Sequence, residues 1–174
     1  FPSPQPAITI FQTAREIAPV LTDKGTYEQR WEVVDAFQDY TDDEGVFHSK
    51  AEQEAQAFAD YKATKKQALA ARRFQAETSG ITFNGLPVPT DRSSQAMLTG
   101  AYNTVQQTPE RVINWKTGSG FVQLDKAAIE ALSVAVADHV EACFNNEMTL
   151  SQQIDAAETL QAVEGIDLEQ GWPE

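Results

Sequence analysis

The chain has 174 residues, a hydrophobic fraction of 41%, and 13 basic against 26 acidic side chains, for a formal net charge of −13. That length supports one modest core, or a small core with extended helical arms. So acidic a chain is repelled by nucleic acid and by anionic membrane, which sets both aside as partners. No apolar run approaches the roughly 20 residues of a membrane helix, so membrane insertion is not expected. The single Cys143 excludes an internal disulfide framework and a multi-cysteine zinc site, and it suits synthesis in a reducing cytoplasm.

The opening Phe1-Pro2-Ser3-Pro4-Gln5-Pro6 reads as an extended lead-in. It has no basic region followed by an apolar stretch, so it is not a signal peptide. It also lacks an initiator Met, and the chain is expected to be a processed or partial product. Ala7 to Gln12 is a strand candidate. Glu16 to Leu21 is a second, demoted to an edge or irregular strand by Pro19. Asp23-Lys24-Gly25 marks a turn. From Tyr27 to Phe37, Tyr27, Trp31, Val33 and Phe37 share one parity, while Glu28, Arg30 and Glu32 share the other. Period two predicts a half-buried strand with an aromatic face. A module of two or three strands is marginal alone, so that face needs a partner.

Thr41 to Gly45 is an acidic turn. Ser49 followed by Glu52 is a capping box, and the Ala-, Glu-, Gln- and Lys-rich stretch to about Ser79 predicts one long helix. Its apolar seam is thin (Ala51, Ala55, Phe58, Tyr61, Leu69, Phe74) and is interrupted by Lys62 and Lys65. Such a helix bridges modules or pairs with copies of itself more often than it lies on a globular core. Gly80 is the C-cap glycine. Ile81-Thr82-Phe83 and Leu86-Pro87-Val88 flank Asn84-Gly85, the favoured hairpin turn. Thr90-Asp91 caps a helix from Arg92 to about Gln107, on which Gly100 lets a neighbour approach closely.

Val112 to Lys116 and Phe121 to Leu124 form a second hairpin about Thr117-Gly118-Ser119-Gly120. Asp125 caps a last long helix with a buried stripe of Ile129, Leu132, Val136, Val140, Cys143 and Phe144. That helix is expected to run towards Val163, with a break near Asn145-Asn146. Trp115, Phe121, Leu132, Val136 and Val140 are expected to be mutually buried. The tail from Gly165 to Pro173 is not helical. The fold class is therefore α+β: a β module over residues 1–48, a connecting helix over 49–79, and a C-terminal α+β domain with two hairpins and two helices over 80–174.

The chemistry-bearing residues do not assemble into a motif. No Ser or Cys stands in a nucleophile motif. His139 and Cys143 lie one helical turn apart, but a thiol and an imidazole on an apolar face read as core when no third member is present. Asp39, Asp42, Asp43 and Glu44 suggest a calcium loop. Aligning Gly45 with its obligatory glycine, however, puts Tyr40 at the first ligand position and Ala51 at the last, and neither is a ligand. Gly118-Ser119-Gly120 precedes no helix and cannot cradle phosphate. The expectation is no enzyme, no cofactor, no metal and no catalytic residue. The candidate protein-interaction residues are Tyr27, Trp31, Val33 and Phe37 on the predicted strand and Phe58 and Leu69 on the long helix. Trp172, so near the end of the chain, is either an anchor closing the fold or a contact to a neighbour.

The second half carries an ordered series of blocks. Arg73-Phe74, Glu77-Thr78, Gly80-Ile81 and Asn84-Gly85 come first, followed by Thr90-Asp91-Arg92 through Gly100-Ala101. Asn114-Trp115-Lys116-Thr117, Gly120 to Asp125 and His139-Val140-Glu141-Ala142-Cys143-Phe144 follow. This series, from about Ala70 to Pro173, resembles an uncharacterised domain family of small tailed-bacteriophage tail proteins, whose members are commonly labelled tail fibre or tail fibre assembly proteins. Trp31-Glu32-Val33-Val34 is similar to the β segments that precede such domains. The resemblance implies a location and no chemistry. It points to a virion component of the tail fibre, baseplate or tail tip, made in the host cytoplasm. Other phage tail proteins and copies of itself are the implied partners, with a trimer favoured by analogy with phage fibres. A fibre assembly chaperone, absent from the finished particle, is the alternative. A glycan hydrolase would need paired carboxylates in a cleft, whereas the acidic residues here fall in turns and on helix faces.

Overall fold

A computed structural model describes residues 3–117 and 120–173. The fold is α+β. It contains β1 (Gln12–Leu21), β2 (Tyr27–Asp35), β3 (Tyr40–Thr41), β4 (Phe47–His48), α1 (Lys50–Glu77), β5 (Ile81–Phe83) and β6 (Leu86–Val88). These are followed by α2 (Arg92–Gln107), β7 (Ile113–Thr117), β8 (Gly120–Leu124), α3 (Lys126–Ala156) and α4 (Leu160–Glu164). Among the described residues, the strands pair as two-stranded antiparallel hairpins, each with its neighbour in sequence. The chain divides into two compact units between Thr64 and Lys65, within α1.

In the first unit, β1 and β2 pair from Gln12 opposite Asp35 to Leu21 opposite Tyr27. The two short strands expected before the turn are one strand starting at Gln12. Ala7 to Ile10 stay outside it, because a turn closes first, with the Gln12 amide donating to the Thr9 carbonyl at 3.1 Å. Pro19 has no amide to give a ladder, and the register shifts between Ile17 and Val20 to pass it. β2 stops at Asp35, two residues short of Phe37. The acidic turn lies inside a small hairpin of its own, β3–β4. The capping box forms as its spacing predicts. The Glu52 amide donates to Ser49 Oγ at 3.1 Å, and the Ser49 amide donates to the Glu52 carboxylate at 3.1 Å.

The second unit holds the core. One cluster joins Val88, Leu98, Leu132 and Val136, with Ile81, Phe83 and Val140 packed against it. A second joins Ala101, Val105 and Ile129, with Ile113 against it, and Trp115 and Leu124 touch both. From Lys65 onward α1 runs antiparallel along α3. Lys66 pairs with Asp155, Arg73 Nε with Glu147 at 3.1 Å, and His139 Nε2 donates to the Ala76 carbonyl at 3.1 Å. Asn84 and Gly85 both take positive φ, as the hairpin turn requires. Asp91 and Asp125 cap α2 and α3 by accepting the Ser93, Ser94 and Ala128 amides. Gly118 and Ser119, at the expected tip of the second hairpin, lie outside the described residues.

Three expectations are corrected. Phe121 is 74% exposed and takes no part in the core. In β8 it lies opposite Lys116, while Val122 lies opposite Trp115 on the covered face. α3 passes through Asn145-Asn146 unbroken, since buried Cys143, Leu150 and Ile154 continue its inward stripe on both sides. The break falls after Ala156, where Thr159 caps the short α4 by accepting the Ala162 amide. At Gly100, where a close neighbour was expected, a Cβ would meet nothing within 4 Å.

Candidate interaction surface

In the first unit, no described residue is buried. Every buried side chain among the described residues belongs to the second. Tyr27 is 65% exposed and Val33 is also open. Register places Trp31 opposite Glu16 and Val33 opposite Ala14 on one face, and Ile17 opposite Arg30 and Val34 opposite Thr13 on the other. Apolar side chains therefore lie on both faces of a ribbon that can cover neither. The Pro-rich lead-in lies partly over one face, where the Trp31 indole N–H donates to the Ser3 carbonyl at 3.3 Å. Phe37 lies beyond β2 and lines an open groove of about 710 Å³ together with Val46, Phe47 and the α1 residues Gln53 and Ala57. Phe58 is half-buried, with the Lys62 ammonium 4.8 Å from its ring centroid.

The two remaining candidates belong to the second unit. Leu69 is 1% exposed, so its own chain already covers it. Trp172 is half-buried and anchored. Its indole N–H donates to the Leu168 carbonyl at 2.8 Å, and the Arg72 guanidinium sits 5.2 Å from its ring, itself paired with Glu169 at 2.7 Å. The anchor reading of Trp172 is thus the one its contacts support.

Two polar clusters escaped sequence reasoning. In the β3–β4 hairpin, Asp42 accepts the Glu44 amide at 3.0 Å, the Val46 amide at 2.8 Å and His48 Nε2 at 2.9 Å, and the His48 ring stacks on Tyr40. The His48 hydrogen bond, and then that of Val46, holds the Asp42 carboxyl below its ordinary range. In the second unit Glu77 is fully buried, paired with Arg73 and with Arg92 at 3.1 Å. Thr90 joins the same corner, donating from Oγ1 to the Glu77 carbonyl at 2.6 Å and accepting the Gly80 amide at 2.9 Å. An Arg-x-x-x-Glu spacing was the only sequence signal for this, and it reads equally well as a surface pair.

His139 and Cys143 do meet, with Sγ 4.0 Å from Nε2, but Nε2 is already committed to the Ala76 carbonyl. Burial, and then the Glu77 charge, raises the Cys143 thiol, which favours the protonated form that does not act as a nucleophile. Among the described residues, no group of three or more His, Cys, Asp or Glu side chains could hold a metal ion. No helix among them is long and apolar enough to cross a membrane.

One family model, a domain of unknown function (DUF4376), matches residues 60–170. No curated protein and no solved structure matches the chain.

Proposed function

We propose that this chain, which belongs to the DUF4376 family of domains of unknown function, is a structural component of a bacteriophage tail. It acts in the fibre, baseplate or tail tip through protein–protein contacts that serve assembly or host attachment, and it is not an enzyme. The observation that carries the reading is the first unit, a pair of hairpins and a helical segment without a single buried side chain among its described residues. Such a unit gains a core only from a neighbour. The ordered blocks from Arg73 to Phe144, with their resemblance to small phage tail proteins, supply the setting. The neighbours are other tail proteins and further copies of this chain, with a trimer favoured. The alternative is a fibre assembly chaperone, which would use the same exposed unit transiently.

Mass spectrometry of purified particles separates the two. Peptides of this chain at a fixed ratio to known tail proteins are expected for a virion component. Their absence from particles, with the chain present in infected cells, would favour the chaperone.

A further inference from the structure

The groove beside β7 has the form of a strand-addition site. It encloses about 570 Å³ between α2 and the second hairpin. On the strand side it is lined by six consecutive residues, Arg111 to Lys116. A groove over a sheet face would be lined by alternate residues. Consecutive ones mean that the edge of the strand opens onto it. β7 pairs with β8 on one side and, among the described residues, with no strand on the other. The opposite wall is one stripe of α2: Ser94, Met97, Ala101 and Thr104, spaced three, four and three apart. Six extended residues span roughly 20 Å, so the groove takes a short extended segment lengthwise. Met97 is 60% exposed and Val112 is open, which offers apolar contact to alternate side chains of such a segment.

Charge says what kind of segment. No carboxylate lines this groove, although the chain carries a net −13. The other basic residues of the second unit are engaged. Lys66 pairs with Asp155, Arg72 with Glu169, Arg73 with Glu77 and Glu147, Arg92 with Glu77, and Lys126 with Glu130. Lys65 donates to the Val163 and Glu164 carbonyls. Among the described residues, Arg111 and Lys116 are the two cations of this unit without an acidic or carbonyl partner, and both line the groove. We propose that the groove between α2 and the open edge of β7 docks an extended, acidic segment of a partner polypeptide by strand addition. Main-chain hydrogen bonds to β7 would hold the segment, while Arg111 and Lys116 would select its charge. This does not depend on what covers the first unit.

The test uses the full chain and a short synthetic peptide alternating glutamate with valine, read by fluorescence anisotropy and by amide hydrogen exchange. Saturable binding with slowed exchange over residues 112–116 is expected. Reversing both charges (Arg111→Glu with Lys116→Glu) should weaken binding roughly tenfold or more. Met97→Glu, at an exposed position, should also weaken it, which keeps the test open if the double variant folds poorly. Reversing Lys24 and Arg30 in the first unit should leave binding unchanged. Equal binding of a lysine–valine peptide, or indifference to the charge reversals, would overturn the proposal. So would displacement by inorganic polyphosphate with no protection of 112–116, which would mark a plain anion patch. Protection of 112–116 that rises with the concentration of the chain alone would assign the groove to a second copy instead, and would equally overturn it.

Discussion

Thr90 stands immediately before the helix cap at Asp91, and its own role lies at the far end of a different helix. Its hydroxyl satisfies the Glu77 carbonyl at the end of α1 and receives the Gly80 amide, in a site closed to solvent. Thr90→Val keeps the shape and removes both bonds, leaving a half-buried amide and a buried carbonyl without this partner. A loss of about 1–3 kcal/mol is expected in denaturant titration of the second unit. Asp42 makes a comparable network in an exposed setting, so its signature is pH dependence. Its folded carboxyl titrates below the unfolded one, because His48 and then the Val46 amide favour the charged form. The stabilisation is therefore complete above the ordinary aspartate value of about 3.9, and it is lost as pH falls through the lowered folded value. Asp91 acts with the same sign at α2 and is held further down, chiefly by the Ser93 and Ser94 hydroxyls. In an NMR acid titration, the Val46 amide should lose its native shift before the Ser94 amide does. Asp42→Asn should remove the Val46 response. The reverse order would show that these carboxylates do not govern their hairpin and helix end.

At the scale of elements, what was legible in the sequence was what short-range chemistry decides. Ser49, Asp91 and Asp125 begin helices because their oxygens accept amides two or three residues on, and Asn84-Gly85 turns because both residues accept positive φ. What was not legible depended on long-range competition. Phe121 and Val122 are adjacent and both apolar, so β8 could have faced either way. Pairing with Trp115, which touches both core clusters, turns Val122 inward and leaves Phe121 outside. Two asparagines suggested a break in α3, but the buried stripe beyond them outweighs their modest propensity cost. The burial of Glu77 leaves no local signal, because its partner Arg92 is fifteen positions away and folds back with α2. Of the candidate interface residues, Tyr27 and Val33 are open to solvent. Leu69 is closed to solvent, because the thin seam of α1 divides between two environments that sequence cannot separate. The corrected facing of β8 sets a paired expectation. Leu132→Ala should cost about 2–5 kcal/mol, whereas Phe121→Ala should change stability by less than about 0.5 kcal/mol. Similar losses at both sites would contradict the register.

For the molecule as a whole, the distribution of buried side chains makes a prediction about independent folding. The division between the units falls five residues into the span matched by the family model, which begins at residue 60. Beyond it lie both core clusters, the buried Glu77 corner and the α1–α3 ladder of ion pairs. A fragment from Lys65 to the end therefore carries its own core and should melt cooperatively, close to the transition of the full chain. Before it, two-stranded ribbons and about four turns of helix bury nothing among their described residues, and such pieces are marginal in water. A fragment ending at Thr64 should be largely unfolded at micromolar concentration. In the full chain, amides of α1 from Lys50 to Thr64 should exchange far faster than those from Leu69 to Glu77, although one unbroken helix contains both. Light scattering ties this to the proposed assembly. Self-association of the full chain at micromolar concentration should be accompanied by slowed exchange over 50–64, and the Lys65 fragment should remain monomeric. If the full chain stays monomeric while 50–64 exchanges fast, the first unit waits for a different protein, and adding the tail component that slows that exchange would identify it. A monomeric full chain with both halves of α1 equally protected would mean that the first unit is stable without neighbours. That outcome would remove the physical basis for assigning it a docking role.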